Sequence, residues 1–221
     1  MTGMKSIKHW FQERLPISRA DLVELTNELV PNHLRHWWFC LGGTPAYLFV
    51  VLIGTGILLA FYYQPAPETA YESVFRITNG VAFGWCFRSL HKWAATGMVA
   101  AVILHQMRVY FTGAYRKPRE LNWMIGMCLL LTTLLIRFTG YSLVYEQLSY
   151  WGATVGANIA DTVPLFGGFA KKMLLAGDVY NCNTLPRFYV LHTAVLPATL
   201  VLLIATHIGI LRLQGVTEFR F

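Results

Sequence analysis

Four of the seven histidines lie in long apolar segments at matched spacings. His91 and His105 are 14 residues apart, and His192 and His207 are 15 residues apart. At about 100° and 1.5 Å per residue, each pair lies on one face of its helix, with the two rings roughly 21–22 Å apart along the axis. If the two helices run in the same direction, His91 lies level with His192, and His105 lies level with His207.

Two facing imidazoles at each level favour a metal that needs only two protein ligands. Zinc would need two further donors at each site, and no Cys, Asp or Glu of these segments completes such a shell. A haem iron needs only two axial histidines. Hydrogen bonding between helices is the alternative, and it explains one intramembrane histidine better than four at matched levels. The spacing therefore predicts two bis-histidine haem sites.

Glycines in two other apolar segments repeat this spacing. Gly42 and Gly56 are 14 residues apart, and so are Gly126 and Gly140. Because these segments run opposite to the histidine-bearing ones, the first glycine of each pair is expected at the level of the second histidines, and the second glycine at the level of the first. A residue without a side chain leaves room for a flat macrocycle against the backbone. Close helix packing would explain any one glycine, but not the shared spacing.

The composition places these residues in a membrane protein. Of 221 residues, 55% are apolar and 13% are charged, whereas soluble domains carry about 25% charged residues. A spanning helix needs about 20 apolar residues. The candidate spans are Ala46–Tyr63, Trp93–Met107, Leu121–Ile136 and Phe188–Leu211. The second reaches full length if Arg88 and Lys92 extend to the interface. We predict an all-α membrane protein, with a four-transmembrane-helix bundle that encloses two b haems.

The remaining segments indicate how the chain meets the membrane. His9–Leu29 has the pattern of an amphipathic helix on the membrane surface. This divides the chain into a surface segment, 1–32, and a four-helix di-haem domain, 33–221. The net charge of +7 indicates basic loops rather than nucleic-acid binding, since 11 of the 18 Lys and Arg residues fall on the side of the termini. We expect a multi-pass protein of a bacterial inner membrane or a similar energy-transducing membrane.

Several motifs resemble the cytochrome b family. They are WFQERL (10–15), CLGG (40–43), RSLHKW (88–93), HQMRVYFTGAYRKPRELNW (105–123), TGYSL (139–143) and RFYVLHTAVLP (187–197). The likeness covers nearly the whole chain and is to the short, split b6 form. The resemblance implies that His91 and His192 ligate a haem on the positive side of the membrane, and that His105 and His207 ligate one on the negative side.

The resemblance also implies roles for other residues. Arg88 and Arg108 match arginines near haem propionates, where a guanidinium can pair with a carboxylate. Cys40 matches a cysteine that carries a third, covalently attached c-type haem, and Arg212 matches an arginine beside that haem. Cys40 could otherwise be only a small packing residue.

Two positions depart from the family pattern. Val144–Glu146 replaces the Pro-Trp-Asp that follows TGYSL beside the quinol-oxidation pocket, so Tyr145 and Glu146 are the candidate catalytic residues here. Arg137 stands where the family has a small residue, near the positive-side haem. Either it extends to the membrane interface, or it pairs with a propionate or with Glu146 and makes that haem easier to reduce.

The resemblance implies an enzyme subunit rather than an enzyme active alone. It implies a quinol:cytochrome c or plastocyanin oxidoreductase, in which this chain carries electrons across the membrane in a Q-cycle coupled to proton translocation. The implied partners are quinone, a subunit-IV-like second half of cytochrome b, a Rieske iron–sulfur protein, a c-type cytochrome, membrane lipid and a second copy of the complex. The alternatives are a haem b anchor that links a dehydrogenase or hydrogenase to quinone, and a haem-free scaffold.

Overall fold

The computed structural model describes residues 9–10, 13–14 and 41–215. Within 41–215 the regular structure is helical and contains no strand. The α-helices are α1 (Gly43–Ala60), α2 (Ala70–Asn79), α3 (Gly84–Phe111), α4 (Glu120–Ser142), α5 (Gln147–Asp161), α6 (Gly167–Leu175), α7 (Thr184–Val190) and α8 (Leu196–Gln214). A five-residue π-helical turn, Leu191–Val195, joins α7 to α8, so Thr184–Gln214 forms one continuous rod.

Three helices of the described chain are long and apolar enough to cross a membrane: α1, α4 and the Thr184–Gln214 rod. They confirm three of the four predicted spans. Helix α3 has 28 residues, or about 42 Å at 1.5 Å per residue, which exceeds a hydrocarbon core of about 30 Å. It carries Arg88, Lys92 and Arg108 towards its ends, which makes it more polar than the other three.

The four long helices share one apolar cluster. Helix α1 packs along α3, α8 packs along α4, and α3 contacts α4. Phe49 of α1, Met98 of α3 and Leu200 of α8 are buried together, and partly buried side chains of α4 pack against them. Each of these three residues lies seven or eight positions from the nearest predicted site residues on its helix. The cluster therefore occupies the middle of the bundle and leaves both ends for the candidate sites.

The π-helical turn accounts for the unequal histidine spacing. Pro197 has no N–H to donate to the carbonyl of Thr193, four residues earlier, and its ring crowds that carbonyl. The turn directly before it, Leu191–Val195, is π-helical and contains His192. A π turn holds one more residue than an α turn. The rod therefore absorbs the extra residue between His192 and His207.

Three shorter helices cover the upper end of the bundle, defined as the end where α3 begins. From the sequence alone we expect the segment between the third and fourth spans, Glu146–Arg187, to be a long loop with an amphipathic piece near Ala170–Leu175. In the structure that region contains α5 and α6. Helix α5 buries the small residues Ser149, Ala153 and Ala157, which are spaced four apart. It therefore lacks the stripe of large apolar residues by which a sequence predicts a surface helix. Helix α2 was not predicted either.

The predicted surface helix lies mostly outside the described residues, as does the boundary between 1–32 and 33–221. The described part fixes one attachment point. Arg14 is 5% exposed and donates to both carboxylate oxygens of Glu120, at 3.2 and 3.1 Å. Gln214 Nε2 donates to the Arg14 carbonyl at 2.8 Å. The N-terminal segment therefore contacts the lower ends of α4 and α8.

Candidate functional site

The structure brings the four histidines together in two pairs. His91 of α3 faces His192 of the π turn, with ring centroids 6.3 Å apart and planes at 70°. His105 of α3 faces His207 of α8, with centroids 6.5 Å apart and planes at 81°. We call these the upper pair and the lower pair. The two pairs lie at opposite ends of the apolar cluster.

The ring separations fit one metal atom between each pair. An imidazole nitrogen binds a transition metal at about 2.0–2.1 Å, so two rings on opposite sides of one atom have centroids roughly 6.4 Å apart. Among the described residues no group of three or more His, Cys, Asp and Glu side chains could hold a metal ion. Each site therefore offers a metal two imidazole ligands. Two ligands suit a haem iron but leave the coordination shell of a zinc ion incomplete.

Hydrogen bonds fix the tautomer of both upper rings. His192 Nδ1 lies 3.0 Å from the Ile136 carbonyl, which can only accept, so Nδ1 carries the proton. Thr55 Oγ1 lies 2.8 Å from His91 Nδ1 and donates its own proton to the Val51 carbonyl at 2.8 Å. His91 Nδ1 must then be the donor as well. Both Nε2 atoms keep their lone pairs, the form in which imidazole binds a metal.

The ring nitrogens of the lower pair make fewer hydrogen bonds to the described residues than those of the upper pair. His105 Nδ1 is buried and has no hydrogen-bond partner among the described residues. Buried polar side-chain atoms in folded proteins almost always have such a partner. The described residues therefore leave this ring nitrogen without its usual hydrogen-bond partner.

Each predicted glycine lies against one histidine ring. A Cβ built on the glycine would stand 3.2 Å from His105 at Gly42, 3.2 Å from His91 at Gly56, 3.5 Å from His207 at Gly126 and 2.5 Å from His192 at Gly140, always nearest to the ring atom Cε1. The four glycines thus lie at the two levels that the spacing predicted. They make room for the imidazole rings themselves.

Sequence reasoning missed the threonines that contact the upper rings. Thr55 bonds to His91, and Thr139 Oγ1 lies 3.2 Å from His192 Nδ1. Both are buried. Each directly precedes a glycine of the set, as Thr55-Gly56 and Thr139-Gly140. The Thr-Gly pair is repeated at one level of two apolar segments, and this repeat is the feature of the sequence that could have predicted these contacts.

The predicted arginines lie one helical turn outside the histidines. Arg88 is half-buried, three residues before His91, and donates to Thr78 Oγ1 at 3.2 Å. Arg108 is half-buried, three residues after His105. Arg212 lies exposed in the last turn of α8, at the lower end. Cys40 lies outside the described residues.

Tyr145 and Glu146 lie together at the mouth of a surface cleft. The cleft has a volume of about 730 Å³ and is lined by Tyr71, Tyr145, Glu146, Gln147, Leu148 and Trp151. Tyr145 holds a left-handed backbone conformation, with φ of 53°, a strained state for a residue with a side chain. Glu146 is exposed at the N-terminus of α5. Both follow the upper end of α4, so the cleft lies on the side of the upper pair.

A group of tyrosines surrounds Tyr145, and the sequence did not single it out. The rings of Tyr145, Tyr150 and Tyr180 have centroids 4.7–6.5 Å apart. Burial raises the pKa of Tyr145, and the nearby Tyr150 and Glu68 raise it further. The phenol of Tyr145 therefore stays protonated at neutral pH and can donate a hydrogen bond.

Comparison with known proteins gives consistent results. Residues 25–215 match the family model described as cytochrome b/b6/petB. The chain is similar to cytochrome b6 of Heliomicrobium gestii, at 44% identity over 95% of this chain and 98% of the relative, and to cytochrome b6 of Emiliania huxleyi, at 41% identity over 97% and 99%. A solved structure titled hyperthermophilic respiratory Complex III matches with a TM-score of 0.78 and 29% identity. That match covers 95% of this chain, which spans 56% of the length of the solved one.

Proposed function

Since this chain belongs to the cytochrome b family, we propose that it is the electron-carrying subunit of a quinol:cytochrome c or plastocyanin oxidoreductase. It is an integral, multi-pass protein of an energy-transducing membrane and belongs to electron transport. The observation that carries the proposal is the stacking of two facing imidazole pairs inside one helical bundle. In this proposal α3 is the fourth transmembrane helix beside α1, α4 and α8.

We assign one haem b to each histidine pair. When bound, haem supplies a carrier that accepts and releases one electron. The chain holds and orients the ligating rings. Thr55 and the Ile136 carbonyl fix the upper rings through Nδ1, and the four glycines admit all four rings to the helix interface. Arg88 and Arg108, one turn outside the pairs, are assigned to the carboxylates of the macrocycle.

The cleft beside Tyr145 is the proposed site of quinol oxidation. Oxidation of a quinol to a quinone releases two electrons and two protons. The exposed carboxylate of Glu146 can accept a proton, and the protonated phenol of Tyr145 can hydrogen-bond to a quinone oxygen. The aromatic rings of Tyr71 and Trp151 supply flat apolar walls for the quinone ring. Each role follows from the position of the side chain in the cleft.

The proposed assembly follows from membership of the cytochrome b family and from the likeness to a respiratory Complex III. One electron from quinol passes to a Rieske iron–sulfur protein, which delivers it to a c-type cytochrome or plastocyanin. The groups that the upper and lower pairs would hold supply a path for the other electron to quinone on the opposite side, which would couple the reaction to proton translocation. A subunit-IV-like chain completes the quinol site, and two copies of the complex associate.

The test of the haem assignment is a ligand variant in the purified complex. His207→Leu is expected to lose one of the two b haems, measured as haem extracted per chain and as one missing component in an optical redox titration. His9→Leu is the matched control, because His9 is exposed and lies on neither of the histidine-bearing helices. Unchanged haem content in His207→Leu would refute the assignment. A dehydrogenase or hydrogenase that co-purifies in place of a Rieske protein would favour the anchor alternative.

The third haem has its own test. We propose a single thioether bond from Cys40 to a c-type haem near Arg212. Haem staining of the chain on a denaturing gel is expected to survive in the wild type and to vanish in Cys40→Ala. Cys86→Ala, an exposed cysteine at the start of α3, is the control and should keep the stain. An unstained wild-type band would leave a protein with two b haems only.

A further inference from the structure

Arg137 is a cation on the inner face of a membrane-spanning helix. At about 100° per residue, Gly126, Thr133, Arg137 and Gly140 fall within an arc of roughly 60° on α4. Two of these, Gly126 and Gly140, lie against histidine rings, and Thr133 is 2% exposed. Arg137 is itself half-buried. Its place on this face favours a role inside the bundle over extension through lipid to the membrane interface.

Arg137 lies close to the upper pair rather than to the lower one. It is three residues from Gly140 and eleven from Gly126, or about 4.5 Å and 16.5 Å along the helix axis. Gly140, one turn away on the same face, lies against the His192 ring, which in turn faces His91 with ring centroids 6.3 Å apart. A fixed positive charge therefore stands beside both rings of one candidate site.

The protein supplies no counter-charge to Arg137 within the described chain. No ion pair joins it to a carboxylate there, and Glu146, one of the partners that the sequence suggested, is exposed and lines the cleft instead. An isolated cation at membrane depth is costly and usually functional. An electrostatic role towards the group that occupies the upper site explains a cation at this position.

We infer that Arg137 is a positioning residue that favours the reduced state of the upper site. The inference rests on the proposed haem binding. One-electron reduction makes the site more negative by one unit, with no proton transferred, and quinol is the reductant. A neighbouring positive charge stabilises that added negative charge, and the low dielectric of the bundle strengthens the effect. Arg137 should therefore make the upper site easier to reduce than a neutral side chain would.

The experiment is a redox titration of the purified complex, with the upper component identified by its loss in His91→Leu. Arg137→Gln is expected to lower the reduction equilibrium constant of that component at least tenfold, which corresponds to about 59 mV for one electron. The lower component should change by less than a factor of about two, because coupling falls with distance. Arg137→Lys keeps the charge and should stay close to the wild type.

Arg76→Gln is the control for the loss of a positive charge, because Arg76 is exposed on α2. It should leave both components unchanged. An upper component that is unmoved in Arg137→Gln, with both haems retained, would overturn the inference alone. Loss of haem from both Arg137→Gln and Arg137→Met, with retention in Arg137→Lys, would make Arg137 a requirement for haem binding and would also overturn it. A wild-type complex without haem would instead overturn the proposed function.

Discussion

Replacement of Gly140 by alanine tests the packing at the upper site directly. The added Cβ would stand 2.5 Å from His192 Cε1 and 3.1 Å from its Nδ1. Ordinary contact begins at 3.4 Å, so the ring or the helix must move by roughly 0.9 Å, a large displacement in a close-packed interior. The ring is also tethered through Nδ1 to the Ile136 carbonyl of the same helix. It therefore cannot retreat without losing that hydrogen bond.

The size of the effect follows from two opposing contributions. Overpacking of this kind costs about 1–3 kcal/mol. Alanine gains about 0.8–1.0 kcal/mol over glycine in a helix, and Gly54→Ala in α1 shares this gain, because nothing lies within 4 Å of its added Cβ. The free energies of unfolding of the two variants should therefore differ by about 1–3 kcal/mol. Gly126→Ala, with its nearest atom at 3.5 Å, should resemble Gly54→Ala.

The assay is the thermal midpoint for loss of the haem absorption spectrum, together with haem content per chain. Gly140→Ala should melt lowest and lose the upper component first, Gly56→Ala should lie between, and Gly54→Ala should melt at or above the wild type. If Gly140→Ala and Gly54→Ala melt together with the same haem content, the contact between Gly140 and His192 does not constrain the site, and the reasoning is wrong.

Two further predictions concern hydrogen bonds outside this contact. Thr55→Val removes the acceptor of His91 Nδ1 and should cost about 1–3 kcal/mol of unfolding free energy by leaving a buried donor unpaired; Thr55→Ser should retain the wild-type thermal midpoint. Glu120→Gln removes the negative charge and one of the two acceptor oxygens that face the buried Arg14, and it should cost about 1 kcal/mol, since Glu120 is partly solvated. Glu68→Gln, at an exposed carboxylate between α1 and α2, should leave the denaturation midpoint unchanged, and equal effects of the two Glu variants would contradict a structural role for the Arg14–Glu120 contact.

The helical period explains which parts of the site the sequence could predict. Histidines and glycines 14 residues apart return to nearly the same face of any α-helix, so the pairing of rings and glycines follows from geometry that holds along the whole span. The direction in which His192 faces does not follow from the α-helical period, because the π turn changes the number of residues per turn at that point. Pro197 and the 15-residue spacing indicate that π turn only if a continuous α-helix between His192 and His207 has already been ruled out.

Interactions between helices were less predictable. Thr55 reaches His91 only because α1 packs along α3 in one particular register, and a single sequence does not specify that register. Helix α5 was missed because it buries serine and alanine rather than large apolar residues. It could likewise be seen that Arg137 has no ion-pair partner within the described chain only once the positions of the surrounding carboxylates were known.

The cluster of Phe49, Met98 and Leu200 has a consequence for energy conservation. Its members, and the aliphatic side chains packed around them, offer no group that takes up or releases a proton. An electron can tunnel through such a layer, whereas a hydrated ion would have to leave water for a medium of low dielectric. Under the proposed function, the layer would therefore pass electrons but resist ions, so that a proton gradient is protected from leakage through this part of the bundle.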